Sequence, residues 1–411
     1  MIVIYVILVL ALVIVSIYFY LRTNRTARTI DALPGPEAIP VLGNLLQIQM
    51  PPVKLFELFN EWGTKYYPVY RLWFSIIPVV FIQHPEDIEI LLMSSKHINK
   101  KLGYEHLYSW LQSGLLTSSD KKWHQRRKLL TPAFHSNVLE KYMEITFEQS
   151  NKAVKDISSS GKETNVDLLP YCSKCTLNII CGKKRRLAML DLLLLDEKKD
   201  LIDDAGINEE VSTFVFEGHD TTAVAMCFAI LLLAENKEAQ DKAREEVEEI
   251  LKPKDGVISM PDLQKMKYLE RCIKETMRLY PSIPMISRRV DEDLQLKNCL
   301  LPRGSNVFLR IFNVHRDPNF WSEPEKFDPD RFLTEKIKKR HPFSYIPFCA
   351  GFRNCIGQKF AVMEMKSLLA RILYDFYLEP IDRLSDIQIQ FDMVLRPSTP
   401  VHTKFIKIDR L

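Results

Sequence analysis

The sequence predicts a mainly α-helical protein with small β-sheets, on the evidence of its hydrophobic patterning and its composition. After residue 120 most segments repeat apolar residues at helical spacing, whereas strand-like segments are short and scattered. The 411 residues are 46% hydrophobic and 26% charged, an ordinary globular composition that supplies a large core. We therefore expect a large α-dominated body and not a disordered chain.

The first segment, residues 2–21, is uncharged and almost wholly apolar. At 1.5 Å per residue, a helix of this length spans about 30 Å, the thickness of one hydrocarbon core. We predict a retained transmembrane anchor (residues 1–21) and not a cleaved signal peptide, because neither a basic leading region nor a small-residue cleavage site flanks the apolar run. Arg22, Arg25 and Arg28 follow it, so the positive-inside rule places the remaining chain on the cytosolic side.

A basic, proline-rich linker (residues 22–36) is predicted to follow the anchor, because it ends in Leu-Pro-Gly-Pro, which cannot continue a helix. Residues 37–411 form the predicted catalytic domain. Within it, residues 68–83 are β-branched and aromatic, which predicts a short hairpin, and residues 306–311 predict a further strand. The strongest helical patterns cover residues 123–130, 138–158, 208–235, 238–251, 266–279 and 358–378.

Net charge and cysteine usage argue against several classes of protein. The net charge is only +4, so there is no overall electrostatic case for nucleic-acid binding. Eight cysteines without paired spacing do not indicate a disulfide scaffold, and a reducing compartment is expected. Cys172 and Cys175 form one CxxC, but no second pair completes a zinc site, so we interpret them as ordinary helix residues.

Residues 208–235 are apolar on nearly every face, which predicts a helix through the centre of a large protein with Asn208 as its N-cap. Its middle, residues 217–222 (EGHDTT), is polar. Buried polar side chains destabilise a helix unless they have partners or a function. From these residues alone, a satisfied core network and a functional site are both open interpretations.

Residues 348–357 carry the pattern FxxGxRxCxG, for which about 10⁻⁴ chance matches are expected in a chain of this size. Its glycines allow backbone to approach a flat ligand, and a helix that begins after Cys355 directs N–H groups at the sulfur. A thiolate is stabilised there and can bind iron. The alternative interpretation is a buried free cysteine in front of a helix.

This loop resembles the haem-binding loop of the cytochrome P-450 superfamily, and three further motifs occur in the family's order. Residues 275–278 (ETMR) resemble its ExxR motif, and residues 327–332 (FDPDRF) resemble its PERF-type segment. The resemblance implies that Glu275, Arg278 and Arg331 form a buried network that holds the haem loop in place.

The third motif, residues 123–127 (WHQRR), resembles the WxxxR of the family's C helix, whose tryptophan and arginine face the haem propionates. Cys355 is implied to be the axial ligand of the iron of haem b. The other implied cofactor-binding residues are Trp123, Arg127, Glu217, Arg288, Phe348, Gly351 and Arg353.

By the same resemblance, the central helix activates oxygen. Asp220 and Thr221 match the acid and alcohol pair that delivers protons for O–O cleavage. EGHDTT resembles the family-four branch, in which the glutamate that matches Glu217 can form an ester with a haem methyl group. That branch acts mostly on fatty-acid chain ends, so a fatty acid or related lipid is the expected substrate, with xenobiotics and terpenoids as alternatives. Residues 283–286 and Leu395 match pocket-lining positions.

The resemblance also implies partners and a cellular location. An NADPH-dependent flavoprotein reductase is expected to supply electrons, and cytochrome b5 is allowed as a second donor. Lys121, Lys122, Arg126, Lys128 and Lys359 are predicted to form the docking surface, and an ordinary solvated face is the alternative. The expected location is the endoplasmic reticulum (microsomal) membrane, with one span and the catalytic domain in the cytosol.

One interval departs from the family's pattern. Arg127 and Thr221 are 94 residues apart (221 minus 127), whereas the resemblance implies an interval roughly twice as long, enough for several more helices. The predicted break lies near residues 181–182, and the F and G helices that form the substrate lid are predicted to be missing. A catalytically silent, membrane-bound haem protein is therefore an alternative. A haem-thiolate isomerase is a second, against which the Asp220–Thr221 pair argues.

Overall fold

The structure is a computed structural model that describes residues 1–181, 193 and 202–409, and most of the described residues are helical, as predicted. Gly182, on the far side of the predicted break, lies outside this description, as do residues 183–192, 194–201 and 410–411. The helices of the described part are α1 (Ile2–Arg22), α2 (Arg25–Asp31), α3 (Leu45–Ile48), α4 (Pro52–Lys65), α5 (Pro85–Met93), α6 (Tyr108–Leu111), α7 (Asp120–Leu130), α8 (Ser136–Ser158), α9 (Leu168–Ile180), α10 (Asp204–Glu235), α11 (Lys237–Leu251), α12 (Met260–Lys265), α13 (Lys267–Leu279), α14 (Ile311–Val314), α15 (Thr334–Ile337) and α16 (Gln358–Asp375).

The strands of the described part form small sheets. They are β1 (Val69–Phe74), β2 (Ile77–Ile82), β3 (Glu163–Asp167), β4 (Ile286–Arg289), β5 (Leu294–Gln295), β6 (Leu300–Leu301), β7 (Asn306–Leu309), β8 (Phe376–Pro380), β9 (Ile389–Asp392), β10 (Val394–Pro397) and β11 (His402–Lys407). The largest sheet has the order β1-β2-β7-β4, and β1 and β2 form the predicted antiparallel hairpin. The other sheets are β3-β11-β8, β9-β10 and β5-β6.

The central helix α10 organises the core, because its second half is buried on every side. It packs with α9, α13 and α16 into one continuous hydrophobic cluster. By length and composition α10 could cross a membrane, but most of its apolar stretch is buried inside the protein. An apolar helix that neighbouring helices surround is the expected centre of a large domain.

The N-terminal helix α1 has a different environment, since apolar side chains such as Ile2 and Leu8 are exposed. It joins the body through Arg22, whose guanidinium pairs with Asp31 at 3.0 Å and stacks 3.9 Å from the centre of the Trp73 ring. Much of the predicted linker is helical: α2 begins after Asn24, whose side chain accepts a hydrogen bond from the N–H of residue 27. Asparagine is a favourable N-cap, so a helix forms here before the prolines end it.

Four predicted helix boundaries are wrong by two residues or more, and two of them are early starts: α7 begins at Asp120 and not at residue 123, and α8 begins at Ser136 and not at residue 138. The central helix begins four residues earlier than predicted, because Asp203, and not Asn208, is the N-cap and accepts a hydrogen bond from the N–H of Gly206 at 2.9 Å. The last helix ends at Asp375 and not at residue 378, because the chain turns into β8 and pairs with β11, with Leu378 fully buried. Tertiary pairing overrides local helical pattern at this end.

Glu275 and Arg278 on α13 form a fully buried, two-point ion pair with N–O distances of 2.7 and 2.8 Å. Arg331 donates to the same carboxylate at 3.2 Å, and the N–H of Asp328 does so at 2.9 Å. Arg278 also donates to the carbonyl of His315 at 3.0 Å. The structure therefore brings the three predicted network residues together, and they fasten the long segment between β7 and α16 to the helical core.

Removing the shared carboxylate should destabilise the fold strongly. Glu275→Gln should lower the free energy of unfolding by about 3–5 kcal/mol, because two buried guanidinium groups lose their counterion. Chemical denaturation of the detergent-solubilised protein, followed by circular dichroism, measures the loss. Glu57→Gln is the matched control: Glu57 forms an exposed i,i+3 pair with Lys54 at 2.9 Å, and its removal should cost under about 1 kcal/mol. Equal losses in the two variants would contradict the anchoring role.

Candidate functional site

A cavity of about 470 Å³ lies beside the middle of α10. Its walls come from α10, α7, the segment between α13 and β4, the β9–β10 hairpin and the loop before α16. Most of the lining surface is apolar, while a small number of charged groups and two thiols, those of Cys349 and Cys355, face the interior. Concave, mainly apolar sites with few convergent polar groups are typical of cofactor and small-molecule binding.

The loop before α16 presents Cys355 to this cavity. The N–H of Cys355 donates to the carbonyl of Phe348 at 2.9 Å, and the N–H of Asn354 donates to that of Gly351 at 3.2 Å, so the loop is tightly turned. Gly351 has φ +70°, and a Cβ there would meet the carbonyl oxygen of Leu92 at 1.9 Å. Only glycine fits this position, which explains the first glycine of the motif.

Burial raises the pKa of the Cys355 thiol to about 12, and the charge of Glu217 adds to the effect, although the N–H of Gly357 opposes it. The side chain is nevertheless accessible, because the cavity opens onto it. A thiolate at this place therefore requires a cation beside the sulfur. A metal ion bound from the cavity side meets that requirement.

Four cationic side chains line the same cavity: Lys100, Arg127, Arg288 and Arg353. Arg127 donates to the carbonyl and to the side-chain oxygen of Asn354, each at 2.7 Å. Arg353 donates to backbone carbonyls and lies 4.7 Å from the centre of the Trp123 ring. The carboxylates that line the cavity are those of Glu217 and the exposed Asp392, so positive charge is in excess.

The excess charge perturbs the cations themselves. Burial, together with repulsion from Arg288, lowers the pKa of Arg353 to about 9. Burial and the neighbouring arginines lower the pKa of Lys100 well below its usual value. Lys100 is not among the predicted site residues, because a lysine pair in an irregular segment carries no recognisable pattern. A bound anion would relieve this repulsion, so the site is suited to a ligand with acidic groups.

The central helix contributes Glu217, Gly218 and Thr221 to the cavity wall. Burial raises the pKa of Glu217, against the opposing charge of Lys100. The Thr221 hydroxyl donates to the carbonyl of residue 217 at 2.8 Å. Asp220 does not line the cavity: its carboxylate turns to β10 and accepts from Arg396 at 2.8 Å.

The pocket-lining prediction is correct for one segment and wrong for the other. Ile283, Met285 and Ile286 line the cavity, whereas Leu395 is fully buried in the core and Val394 takes the lining position. Successive strand residues face opposite sides of a sheet, so a shift of one residue moves a side chain from the cavity wall to the hydrophobic core.

The predicted basic docking surface is also partly wrong. Arg126 is buried and lies 3.8 Å from the carboxylate of Glu210, and Lys122 pairs with Glu209 at 2.7 Å. Both cations therefore interact with acidic residues near the start of α10. The sequence alone does not show that α7 and α10 are neighbours. The exposed members of the set are Lys121, Lys128 and Lys359.

A family model described as cytochrome P-450 matches residues 33–183 and 182–405. The chain belongs to the cytochrome P-450 family. Cytochrome P-450 4c3 of Drosophila melanogaster is 33% identical over 493 aligned positions, which cover 94% of this chain and 91% of that protein. Cytochrome P-450 4V2 of Homo sapiens is 32% identical over 479 positions (94% and 91%), and cytochrome P-450 4c21 of Blattella germanica is 31% identical over 476 positions (94% and 95%).

The predicted superfamily and its family-four resemblance are thereby confirmed. Membership in the cytochrome P-450 family supports a haem-dependent monooxygenase that acts on lipophilic compounds and draws electrons from a redox partner. The residues present fit such a cofactor, because the accessible thiol of Cys355 and four cations line one mainly apolar cavity. Cys355 would bind the iron, while Lys100, Arg127, Arg288 and Arg353 would bind the propionates.

Cys355→Ala should abolish thiolate ligation. The reduced, carbon monoxide-treated protein should lose the long-wavelength Soret band that thiolate ligation produces, because the proposed sulfur ligand is removed. Cys349→Ala is the matched control from the same loop, since Cys349 also lines the cavity but its sulfur contacts Arg288 and the carbonyl of Ala350, each at 3.5 Å. Retention of the band in Cys355→Ala, or its loss in Cys349→Ala, would contradict the assignment.

Lys100→Met should weaken haem retention. A charged hydrogen bond contributes about 1.5–3 kcal/mol, so transfer of haem to apomyoglobin should be about tenfold faster or more. Lys101→Met serves as the matched control, because Lys101 is the exposed neighbour of Lys100. Equal transfer rates for wild type and Lys100→Met would show that this lysine does not hold the cofactor.

Proposed function

We propose that this chain is a haem-thiolate monooxygenase that hydroxylates a fatty acid or related lipid, with Cys355 as axial ligand. Electrons come from an NADPH-dependent flavoprotein reductase, with cytochrome b5 as a second donor. The observation that supports this function is the convergence of Cys355, the four cations and Thr221 on one apolar cavity.

When bound, haem supplies oxygen binding and oxidising power that side chains lack. The protein's own residues bind, orient and supply protons. Asp220 and Thr221 hold and pass protons, as neighbours on one helix that reach the strand side and the cavity side respectively. Glu217 is proposed as the attachment point of an ester link to haem, which the intact mass of the denatured protein would detect.

The cavity favours a lipophilic substrate, because aromatic and aliphatic side chains from several elements cover it. The wall residues outside the implied haem contacts include Leu55, Phe59, Leu102, Phe308 and Phe391. Burial of a chain of methylene groups stabilises a complex by about 0.8 kcal/mol for each group. A fatty acyl chain therefore suits the cavity better than a polar substrate does.

The helix α1 is proposed as the membrane anchor, at the endoplasmic reticulum with the catalytic domain in the cytosol. Its exposed apolar side chains would be unfavourable in water and favourable in a bilayer, and Arg22, Arg25 and Arg28 follow it. In this proposal residues 1–21 are the anchor, residues 22–36 the linker and residues 37–411 the catalytic domain. Exposed Lys121, Lys128 and Lys359 are the remaining candidates for reductase docking.

We further propose that the F and G helices are missing at residues 181–182. The family match divides into two segments that meet there. The alignment with the Drosophila relative has 493 positions, whereas 94% of 411 residues is about 386, so about 107 positions (493 minus 386) have no residue of this chain. Loss of a lid reduces water exclusion and substrate positioning, which predicts low turnover. This observation favours a second candidate function, a catalytically silent haem protein.

Laurate oxidation with added reductase and NADPH tests the function. The chain should form hydroxylaurate, but at least about tenfold more slowly than a variant in which the corresponding segment of the Drosophila relative is inserted after Cys181, because the lid positions the substrate. Thr221→Ala in the variant with the insertion is the control: it keeps the inserted segment but removes a residue that is proposed to pass protons, so it should lower the rate. Equal rates with and without the insertion would contradict the missing-lid interpretation. A normal carbon monoxide spectrum with no product from either protein would favour the silent haem protein.

A further inference from the structure

The cofactor cavity contains a second thiol besides that of the proposed iron ligand. Cys349 and Cys355 both line the cavity and both are free cysteines, of which Cys355 is exposed and Cys349 partly exposed. The Cys349 sulfur accepts a hydrogen bond from the guanidinium of Arg288 at 3.5 Å, which holds it at the cavity wall. The proposed function uses Cys355 alone, so it gives the Cys349 thiol no role.

The loop before α16 brings the two cysteines close together. The N–H of Cys355 donates to the carbonyl of Phe348, the residue before Cys349, at 2.9 Å. With standard bond lengths, this hydrogen bond holds the Cα atoms of Cys349 and Cys355 no more than about 7 Å apart. Cα atoms that a disulfide joins are usually about 4.4–6.8 Å apart. The backbone separation therefore suits a disulfide, and rotation about the two Cα–Cβ bonds would bring the sulfurs together in the cavity that both face.

The backbone at Cys349 is also unusual. Its φ is +58°, in the left-handed region that glycine adopts readily and that residues with a β-carbon rarely adopt. Residues held in such conformations lower stability and cluster at functional sites. Glycine would relieve the strain at this position, yet the chain places a thiol there. The Cys349 sulfur is therefore a candidate for a chemical role.

We propose that Cys349 and Cys355 form a reversible disulfide in the haem-free chain, and that this bond keeps haem from binding until it is reduced. The inference rests on the proposed function in one respect, the ligation of the haem iron by Cys355. A sulfur that is part of a disulfide has no thiolate to offer a metal. Bound haem would in turn protect Cys355 from oxidation, because the ligand and the disulfide compete for one sulfur.

The oxidant is a low-molecular-weight disulfide such as glutathione disulfide. One cysteine attacks a sulfur of glutathione disulfide, which forms a mixed disulfide and releases the first glutathione. The other cysteine attacks the protein sulfur of the mixed disulfide and releases the second glutathione. The two cysteines lose two electrons and two protons in total, and the two glutathione thiols carry them away. In a reducing compartment the dithiol form predominates, so the bond forms when the glutathione pool becomes more oxidised.

The sequence allows a direct assay, because trypsin cleaves after Arg353 and so separates the two cysteines. A disulfide joins the peptides of residues 341–353 and 354–359, and mass spectrometry without reduction detects the joined pair. The detergent-solubilised full chain, haem-free or haem-loaded, is equilibrated with glutathione disulfide, and the remaining thiols are blocked with N-ethylmaleimide. The joined peptides should be at least about fivefold more abundant in the haem-free protein, because a ligand protects the state to which it binds.

Hemin uptake, followed by absorbance titration, tests the consequence of the bond. Oxidised wild type should take up at least about fivefold less hemin than reduced wild type and should recover with dithiothreitol, since exchange with a thiol reopens the disulfide. Cys349→Ser should give no joined peptides, and its hemin uptake should not change on oxidation. Cys349→Gly, which suits the left-handed backbone, should behave in the same way. Cys181→Ser is the matched control: Cys181 is exposed but does not line the cavity, so both measurements should match wild type.

Absence of the joined peptides from haem-free wild type would overturn the inference, as would equal amounts with and without haem. Equal hemin uptake by the oxidised and the reduced protein would also overturn it. NADPH-dependent laurate oxidation without any joined peptides would remove this inference and leave the proposed function standing. Joined peptides together with retention of the thiolate band in Cys355→Ala would remove the proposed function and leave the disulfide standing.

Discussion

The central physical constraint is the meeting of like charges around a neutral thiol. Lys100, Arg127, Arg288 and Arg353 share a mostly apolar cavity, and burial disfavours ionisation of Cys355 in the same space. A protein without a ligand gains nothing from this arrangement, since each buried cation repels the others and lacks water. A cofactor with a metal centre and two carboxylates would neutralise the repulsion among the four cations and would also stabilise the Cys355 thiolate. The site is therefore complementary to a haem in charge.

This unfavourable charge distribution persists only because the surrounding scaffold is rigid. The cysteine loop is held by backbone hydrogen bonds and by a glycine that no other residue can replace beside Leu92. The segment that leads to the loop is held by the buried Glu275 carboxylate, which joins two arginines to α13. On the other side, the buried half of α10 fixes the positions of Glu217 and Thr221. Free energy from core packing offsets the cost of the site.

The sequence predicted the site residues that belong to short local motifs. It did not predict residues whose environment is set by a contact with a distant part of the chain. The cysteine loop and the three residues of the buried network follow from short motifs, and the structure brings each set together. Arg126 looked like a surface cation, but its counterion Glu210 lies on a helix 84 positions later in the chain (210 minus 126). Arg396 gave no signal at all, because nothing in β10 indicates which residue it meets. The pocket-lining prediction for Leu395 was wrong by one residue, because pairing with a neighbouring strand determines which strand residues face the cavity.

The proposed break, at residues 181–182, lies next to the cofactor site. Ile180, the last residue of α9, lines the cavity, and a Cβ on Gly218 would lie 3.1 Å from it. The family match is interrupted directly after this contact, and every residue proposed to hold haem or protons lies outside the interruption. In the proposed function, cofactor binding and proton supply therefore depend on residues outside the proposed break. Substrate retention would depend on the proposed lid, so its loss should separate haem chemistry from efficient hydroxylation.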